Sequence, residues 1–184
     1  MSVALDPLRA LAASPLFRGV PESVLHAISM FAEPRLLRAG ETLARQGEPA
    51  KAAWLVASGE ILALGSALDT RPPNAHPDSF GPGSLVGHLD ILNEGPCSTT
   101  WMARPASGVL TFEAGAFRQL AGERGPTGSA FRRALIISLS EQLRAANKAL
   151  ADFVVANPAA AKPPRAVLKE MAGLLQGTRA AGEK

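Results

Sequence analysis

The sequence predicts a mainly β domain with flanking helices, a sandwich or barrel-like roll of short strands followed by one long C-terminal helix. Two textures carry that prediction. Between Pro34 and Phe112 short apolar runs alternate with glycine and proline, whereas Thr127 to Ala156 holds an unbroken helical apolar period. The composition agrees, because hydrophobic residues make up 47% and charged residues 19% of the chain, a globular balance.

Residues 5 to 32 read as two short helices broken at Ser14-Pro15 and at Gly19-Val20-Pro21. The second runs from Glu22 to Phe31, with Val24, Leu25, Ile28 and Phe31 on one face. Candidate strands follow at Leu36-Leu37, Thr42-Leu43, Ala53 to Val56, Ile61 to Leu64, Thr99 to Met102 and Val109 to Phe112. Residues 67 to 79, rich in proline and polar side chains, read as an exposed loop. A short helix from Ala114 to Glu123 precedes the long one, which opens near Pro126-Thr127 and closes at Asn157-Pro158.

Within the long helix Ile136, Leu139, Leu143, Ala146, Leu150 and Phe153 alternate spacings of three and four, a heptad seam that needs a partner. Leu135, Ala149 and Val154 fall on a second face, where they are expected to meet the roll. Arg132, one turn before Ile136, is a poor seam residue. A Pro/Ala linker over 157–164 leads to a short amphipathic helix with Val167, Leu168, Met171, Leu174 and Leu175 on its apolar side and Gly177 as its stop. The expected organisation is therefore a domain over 1–156 and an appended segment over 157–184 that packs on the domain or docks to an unknown protein partner.

The formal charge of +3 is localised. Residues 1–156 hold 14 Lys and Arg against 14 Asp and Glu, so the whole excess lies in 157–184, with five basic residues against two acids. A neutral body lacks the clustered basic face that nucleic acid requires, so no DNA partner is expected. No apolar run reaches the length of a membrane span, and the N-terminus lacks the pattern of a signal peptide, which predicts a cytoplasmic protein without a membrane partner. One cysteine, Cys97, excludes an internal disulfide framework and a cysteine zinc cluster. His26, His76 and His88 show no metal-ligand spacing, and neither a Gly-Lys-Ser/Thr phosphate loop nor a Gly-x-Ser-x-Gly elbow occurs. No enzyme, metal or cofactor is predicted.

Four motifs add a more specific reading. They are Ser14-Pro-Leu-Phe-Arg-Gly-Val-Pro21, Ala39-Gly-Glu-Thr-Leu-Ala-Arg-Gln-Gly47, Trp54-Leu-Val-Ala-Ser-Gly59 and Phe80-Gly-Pro-Gly-Ser-Leu-Val-Gly87. In this order, across residues 8 to 155, the chain resembles the cyclic nucleotide-binding domain of the catabolite activator and kinase regulatory subunit superfamily. The resemblance implies a β-roll of the jelly-roll, double-stranded β-helix type and a long C-terminal helix that forms a homodimer. Gly40, Gly47 and Gly59 suit tight turns between roll strands at positive φ.

In that family the nucleotide sits in a cassette reading Gly-Glu-Leu, about eight residues, then Arg-Ser/Thr-Ala. The Glu holds the ribose 2′-hydroxyl and the Arg the cyclic phosphate. The matching segment here runs from Gly87 to Thr100, with His88 at the Glu position and Cys97 at the Arg position. Both charged contacts are missing, and the lost guanidinium alone is worth about 1.5–3 kcal/mol or more. The cassette residues implied as ligand-binding, in degenerate form, are Gly87, His88, Leu89, Cys97, Ser98 and Thr99. Asp90 is expected to point outward or to lie near a helix N-terminus, and Cys97 to be a small buried thiol. The expected function is a noncatalytic regulatory or protein-interaction module that does not bind cAMP or cGMP in the usual way. The alternative is a small-ligand sensor that takes a cyclic nucleotide or another anion through His88, Ser98, Thr99 and backbone amides. The transcription-factor branch follows its long helix with a helix-turn-helix domain of about 70 residues. The 28 residues after Ala156 are expected to be too few for one.

Overall fold

A computed structural model describes residues 5–65 and 78–156. It opens with α1 (Pro7–Ala13), a single 3-10 turn (Pro15–Phe17) and α2 (Glu22–Ser29). Asp6 caps α1 by accepting from the N–H groups of Leu8 and Arg9, and Pro7 takes a first-turn position where its missing N–H costs nothing. Ser14 caps the 3-10 turn, accepting from Leu16 N–H at 3.3 Å, and its hydroxyl donates to the Gly83 carbonyl at 3.1 Å. That bond ties the helical start to the roll. α2 ends at Ser29, short of the predicted Phe31, as the chain turns into the first strand at Glu33.

The strands are β1 (Glu33–Leu37), β2 (Thr42–Ala44), β3 (Ala52–Ser58), β4 (Ile61–Leu64), β5 (Asp78–Phe80), β6 (Leu85–Val86), β7 (Thr100–Ala103) and β8 (Ser107–Glu113). They form two antiparallel four-stranded sheets in the orders β1-β8-β3-β6 and β2-β7-β4-β5, the predicted roll. Gly40, Gly47 and Gly59 all turn at positive φ (79°, 84° and 78°), as the strand junctions require. The sequence reading missed β5 and β6. Asp78 and Ser79, assigned to the loop, are strand residues paired with Ala63 and Leu62. β5 lies at a sheet edge, where polar residues are tolerated and leave no apolar alternation to read. Residues 66–77, the rest of that loop, lie outside the described residues.

The first sheet is covered on both faces. One face carries Ala53, Leu55, Leu85, Leu110 and Phe112 into a core shared with Leu11, Phe17, Leu25, Ile28, Phe117, Leu120 and Phe131 of the helices. Its other face turns Leu37, Ala52, Trp54, Val56, Val86 and Val109 toward Ile61, Trp101 and Ala103 of the second sheet. Alternate residues of β3 and β8 thus serve two cores, which is why both strands read as continuous apolar runs.

Three helices complete the described chain: α3 (His88–Leu92), α4 (Ala114–Gly122) and α5 (Pro126–Ala156). The chain divides into two units, Met1–Leu139 and Ser140–Lys184, with the division inside α5. In the first unit Phe131, Ala134, Leu135 and Ser138 are buried, and the Phe131 ring sits 5.6 Å from Phe112 and 5.1 Å from Phe117. Arg132 donates to the Ala121 and Glu123 carbonyls. It closes the C-terminal end of α4, which explains an arginine so near the seam. In the second unit residues 143–156 are exposed throughout. Ala149 and Val154, expected to meet the roll, are exposed. The buried residues of α5 end at Ser138. The predicted helix holding Val167, Leu168, Met171, Leu174 and Leu175 lies outside the described residues.

Candidate nucleotide-binding cassette

The segment from Gly87 to Thr100 forms its site around the short helix α3. Gly87 precedes that helix at φ 75°, and a Cβ there would lie 2.8 Å from Cζ3 of Trp54 and 3.2 Å from the Ala52 carbonyl oxygen. Only glycine fits, on both conformational and steric grounds.

His88 is buried, with 1% of its surface exposed, and no side chain among the described residues hydrogen-bonds its ring. Burial pushes its pKa down to about 4, and the Leu85 backbone pulls back only in part. The ring is neutral at pH 7 and offers no cation to a phosphate. Leu89 is exposed. Asp90 lies in the first turn of α3, as expected beside a helix N-terminus, but is only 6% exposed rather than outward.

Cys97 is stitched to the turn before β3. Its N–H donates to the Glu48 carbonyl at 2.8 Å and its own carbonyl accepts from Gly47 N–H at 2.9 Å. Pro49 and Pro96 add an isolated bridge beside them. Burial pushes the Cys97 thiol up, and the charges of Asp90 and Glu48 push it the same way. It therefore stays a protonated, buried thiol at neutral pH, the inert form the sequence suggested. Ser98 is exposed, while buried Thr99 donates its hydroxyl to the Leu64 carbonyl at 3.0 Å. Of the six expected cassette residues, Gly87, His88, Cys97 and Thr99 are buried, and Leu89 and Ser98 face outward. The fixed charges acting on Cys97 are carboxylates, the reverse of what an anion needs.

Sequence reasoning missed the neighbours of this site inside the roll. Trp54 stands directly opposite Thr111 across β3 and β8. The indole N–H groups of Trp54 and Trp101 and the Thr111 hydroxyl are sealed from solvent without hydrogen-bond partners among the described residues. Trp101 meets Phe80 edge-on at 5.5 Å. Nothing in the sequence marks these side chains, because a tryptophan in an apolar strand looks the same in either core.

Residues 34–124 match the cyclic nucleotide-binding domain family. The chain is 36% identical over 91 residues to the cyclic AMP receptor protein of Thermus thermophilus, a match covering 49% of this chain and 41% of the relative. It is 24% identical over 177 residues to a CRP-like cAMP-activated global transcriptional regulator of Mycobacterium tuberculosis, covering 94% of this chain and 73% of that one. The chain thus spans less than half of the first relative's length. Among solved structures, a cyclic nucleotide-binding domain from Methylobacillus flagellatus shares the fold with a TM-score of 0.65 at 16% identity, over 79% of this chain and 81% of that one. The roll, the cassette helix and these matches define the class: the chain carries a cyclic nucleotide-binding domain, homologous to the CRP-like regulators. No helix among the described residues is long and apolar enough to cross a membrane.

Proposed function

We propose that residues 1–156 act as a noncatalytic, cytoplasmic regulatory or protein-interaction module that does not bind cAMP or cGMP in the usual way. One observation carries the reading: the positions where the family resemblance places Glu and Arg hold a buried neutral imidazole and a buried protonated thiol, with carboxylates beside the thiol. A cyclic phosphate there would lose its charge-assisted partner and meet negative charge instead. The alternative, an anion held by His88, Ser98 and Thr99, has less support, since Ser98 faces outward and the Thr99 hydroxyl is already donated to Leu64. Calorimetric titration tests the reading. No heat is expected with cAMP or cGMP at about micromolar concentration, and binding near 1 μM overturns it. The double change His88→Glu with Cys97→Arg should raise affinity.

The module works as a parallel homodimer through α5. Support comes from the exposed heptad positions Ile136, Leu143 and Leu150, at 63%, 62% and 62%, which continue the seam beyond the residues buried in the first unit. Light scattering on Leu143→Arg is expected to find a folded monomer where the parent is a dimer, because two like charges would face each other across a two-fold axis. A parent that is monomeric at about 100 μM removes the dimer. On this reading the cAMP activation that the Mycobacterium tuberculosis relative's name states does not carry over to this chain.

A further inference from the structure

Residues 143–156 form the end of α5 and are exposed throughout, yet only Arg144, Asn147, Lys148 and Asp152 among them are polar. At about 100° per residue an uninterrupted apolar arc of about 180° runs from Ala145 on one flank, across Phe153 and Leu150, to Val154 on the other. The seam of Leu143, Ala146, Leu150 and Phe153 takes about 80° of it, the stripe a two-stranded coiled coil uses. Beside the seam, Ala145, Ala149 and Ala156 lie within about 40° of one another, a strip of small side chains. On the far side Lys148 and Asp152 pair at 2.7 Å, which gives the helix its solvated face. An apolar surface this wide needs more cover than one seam provides.

The chain itself holds a segment of matching size. Residues 165–176 read as a helix with Val167, Leu168, Met171, Leu174 and Leu175 on one side. At about 1.5 Å per residue it is about 18 Å long, the same as residues 145–156. Pro158, Pro163 and Pro164 stop α5 from running on, and the connection over 157–164 has the length that joins two packed helices in a bundle. The division inside α5 leaves residues 140–156 and the tail in one unit. We infer that residues 165–176 fold back antiparallel onto the alanine strip of α5 in the same chain, making a helical hairpin beside the dimer seam. The large side chains of the tail fill the space above Ala145, Ala149 and Ala156, where small residues let a second helix approach closely. Leu143 and Leu150 stay open to a second copy, so two hairpins side by side make a four-helix arrangement. The inference does not rest on the dimer, because the strip is open to the tail in a monomer as well.

Limited trypsin digestion of the full chain, read by mass spectrometry, tests the hairpin. Lys169 lies inside the docked segment and Arg179 beyond it. Cleavage after Lys169 is expected to be about tenfold or more slower than after Arg179. Ala149→Glu puts a charge in the strip at an exposed position flanking the seam, where coiled coils commonly carry charge. It should bring cleavage after Lys169 to the Arg179 rate while light scattering still finds the parent's mass. Leu143→Arg should do the reverse, changing the mass and leaving Lys169 protected. A parent that is already monomeric removes the dimer and leaves the Lys169 rates to decide the hairpin. The inference is overturned if Lys169 is cut as fast as Arg179 in the parent, the result expected of a tail free to meet another protein. It is also overturned if Ala149→Glu leaves Lys169 protected, which would place the tail elsewhere, or if Leu143→Arg releases it, which would place the tail on the partner's helix.

Discussion

The two faces of one sheet make the sharpest contrast in this molecule. Strands β3 and β8 send Ala53, Leu55, Leu110 and Phe112 to the helices, and Trp54, Val56, Val109 and Thr111 into the roll. On the helix side the core is hydrocarbon and aromatic rings. On the roll side Trp54, Trp101 and Thr111 bury polar atoms that find no partner among the described residues. A core that only had to be stable would not carry these groups, each of which costs free energy when left unsatisfied. The two faces of one sheet thus differ in what they bury, apolar groups alone toward the helices and polar atoms as well inside the roll.

The contrast can be tested by breaking each side in turn. The largest effect is expected on the helix side, where Phe131 packs between Phe112 and Phe117. Phe131→Ala should cost about 3–5 kcal/mol, read as a fall in the urea midpoint, because three interlocked rings cannot close the cavity. A loss under about 1 kcal/mol would mean that the first part of α5 is not part of this core.

The next effect belongs to the cassette and depends on pH. His88 titrates near 4 in the folded domain because it is buried, and near 6.5 in the unfolded chain. Between those values the unfolded chain holds a proton that the folded one lacks. Stability from this residue is therefore intact above about pH 6.5 and falls as the pH drops, with a full loss of about 3 kcal/mol near pH 4 and about 2 kcal/mol at pH 5. His88→Leu should flatten this part of the profile, measured as the difference in urea midpoint between pH 7.5 and pH 5. An unchanged profile would place the histidine in contact with water.

Much of the fold could be read in the sequence, and the limits have physical causes. β4 was read at its observed bounds, because Ile61 to Leu64 is an apolar run closed by glycines on both sides. The turn glycines, α4 and the start of α5 were read as well. β6 escaped because two residues, Leu85 and Val86, are too few to show a period. The exposure of Ala149 and Val154 was not legible, because a helical apolar stripe does not say where its buried residues end. In the cassette, the replacements at 88 and 97 could be seen only through the family resemblance, and the outward position of Leu89 and Ser98 could not be seen at all.

The smallest expected effect separates the two sides most cleanly. Trp54→Phe and Trp101→Phe each remove a buried N–H that has no partner while keeping an aromatic ring in place. On the helix side an aromatic truncation only loses packing. Inside the roll the lost packing is offset by relief of an unsatisfied donor, so each change should alter stability by about 1 kcal/mol or less. The Trp101 change should also keep the edge-on contact with Phe80, since that contact needs only a ring. Chemical denaturation at pH 7.5, above the range in which His88 titrates, reads both variants. A loss beyond about 2 kcal/mol in either would show that its N–H has a bound partner in solution. The indole would then mark a polar site that is still occupied, and the roll would count as a working pocket and not as a second core.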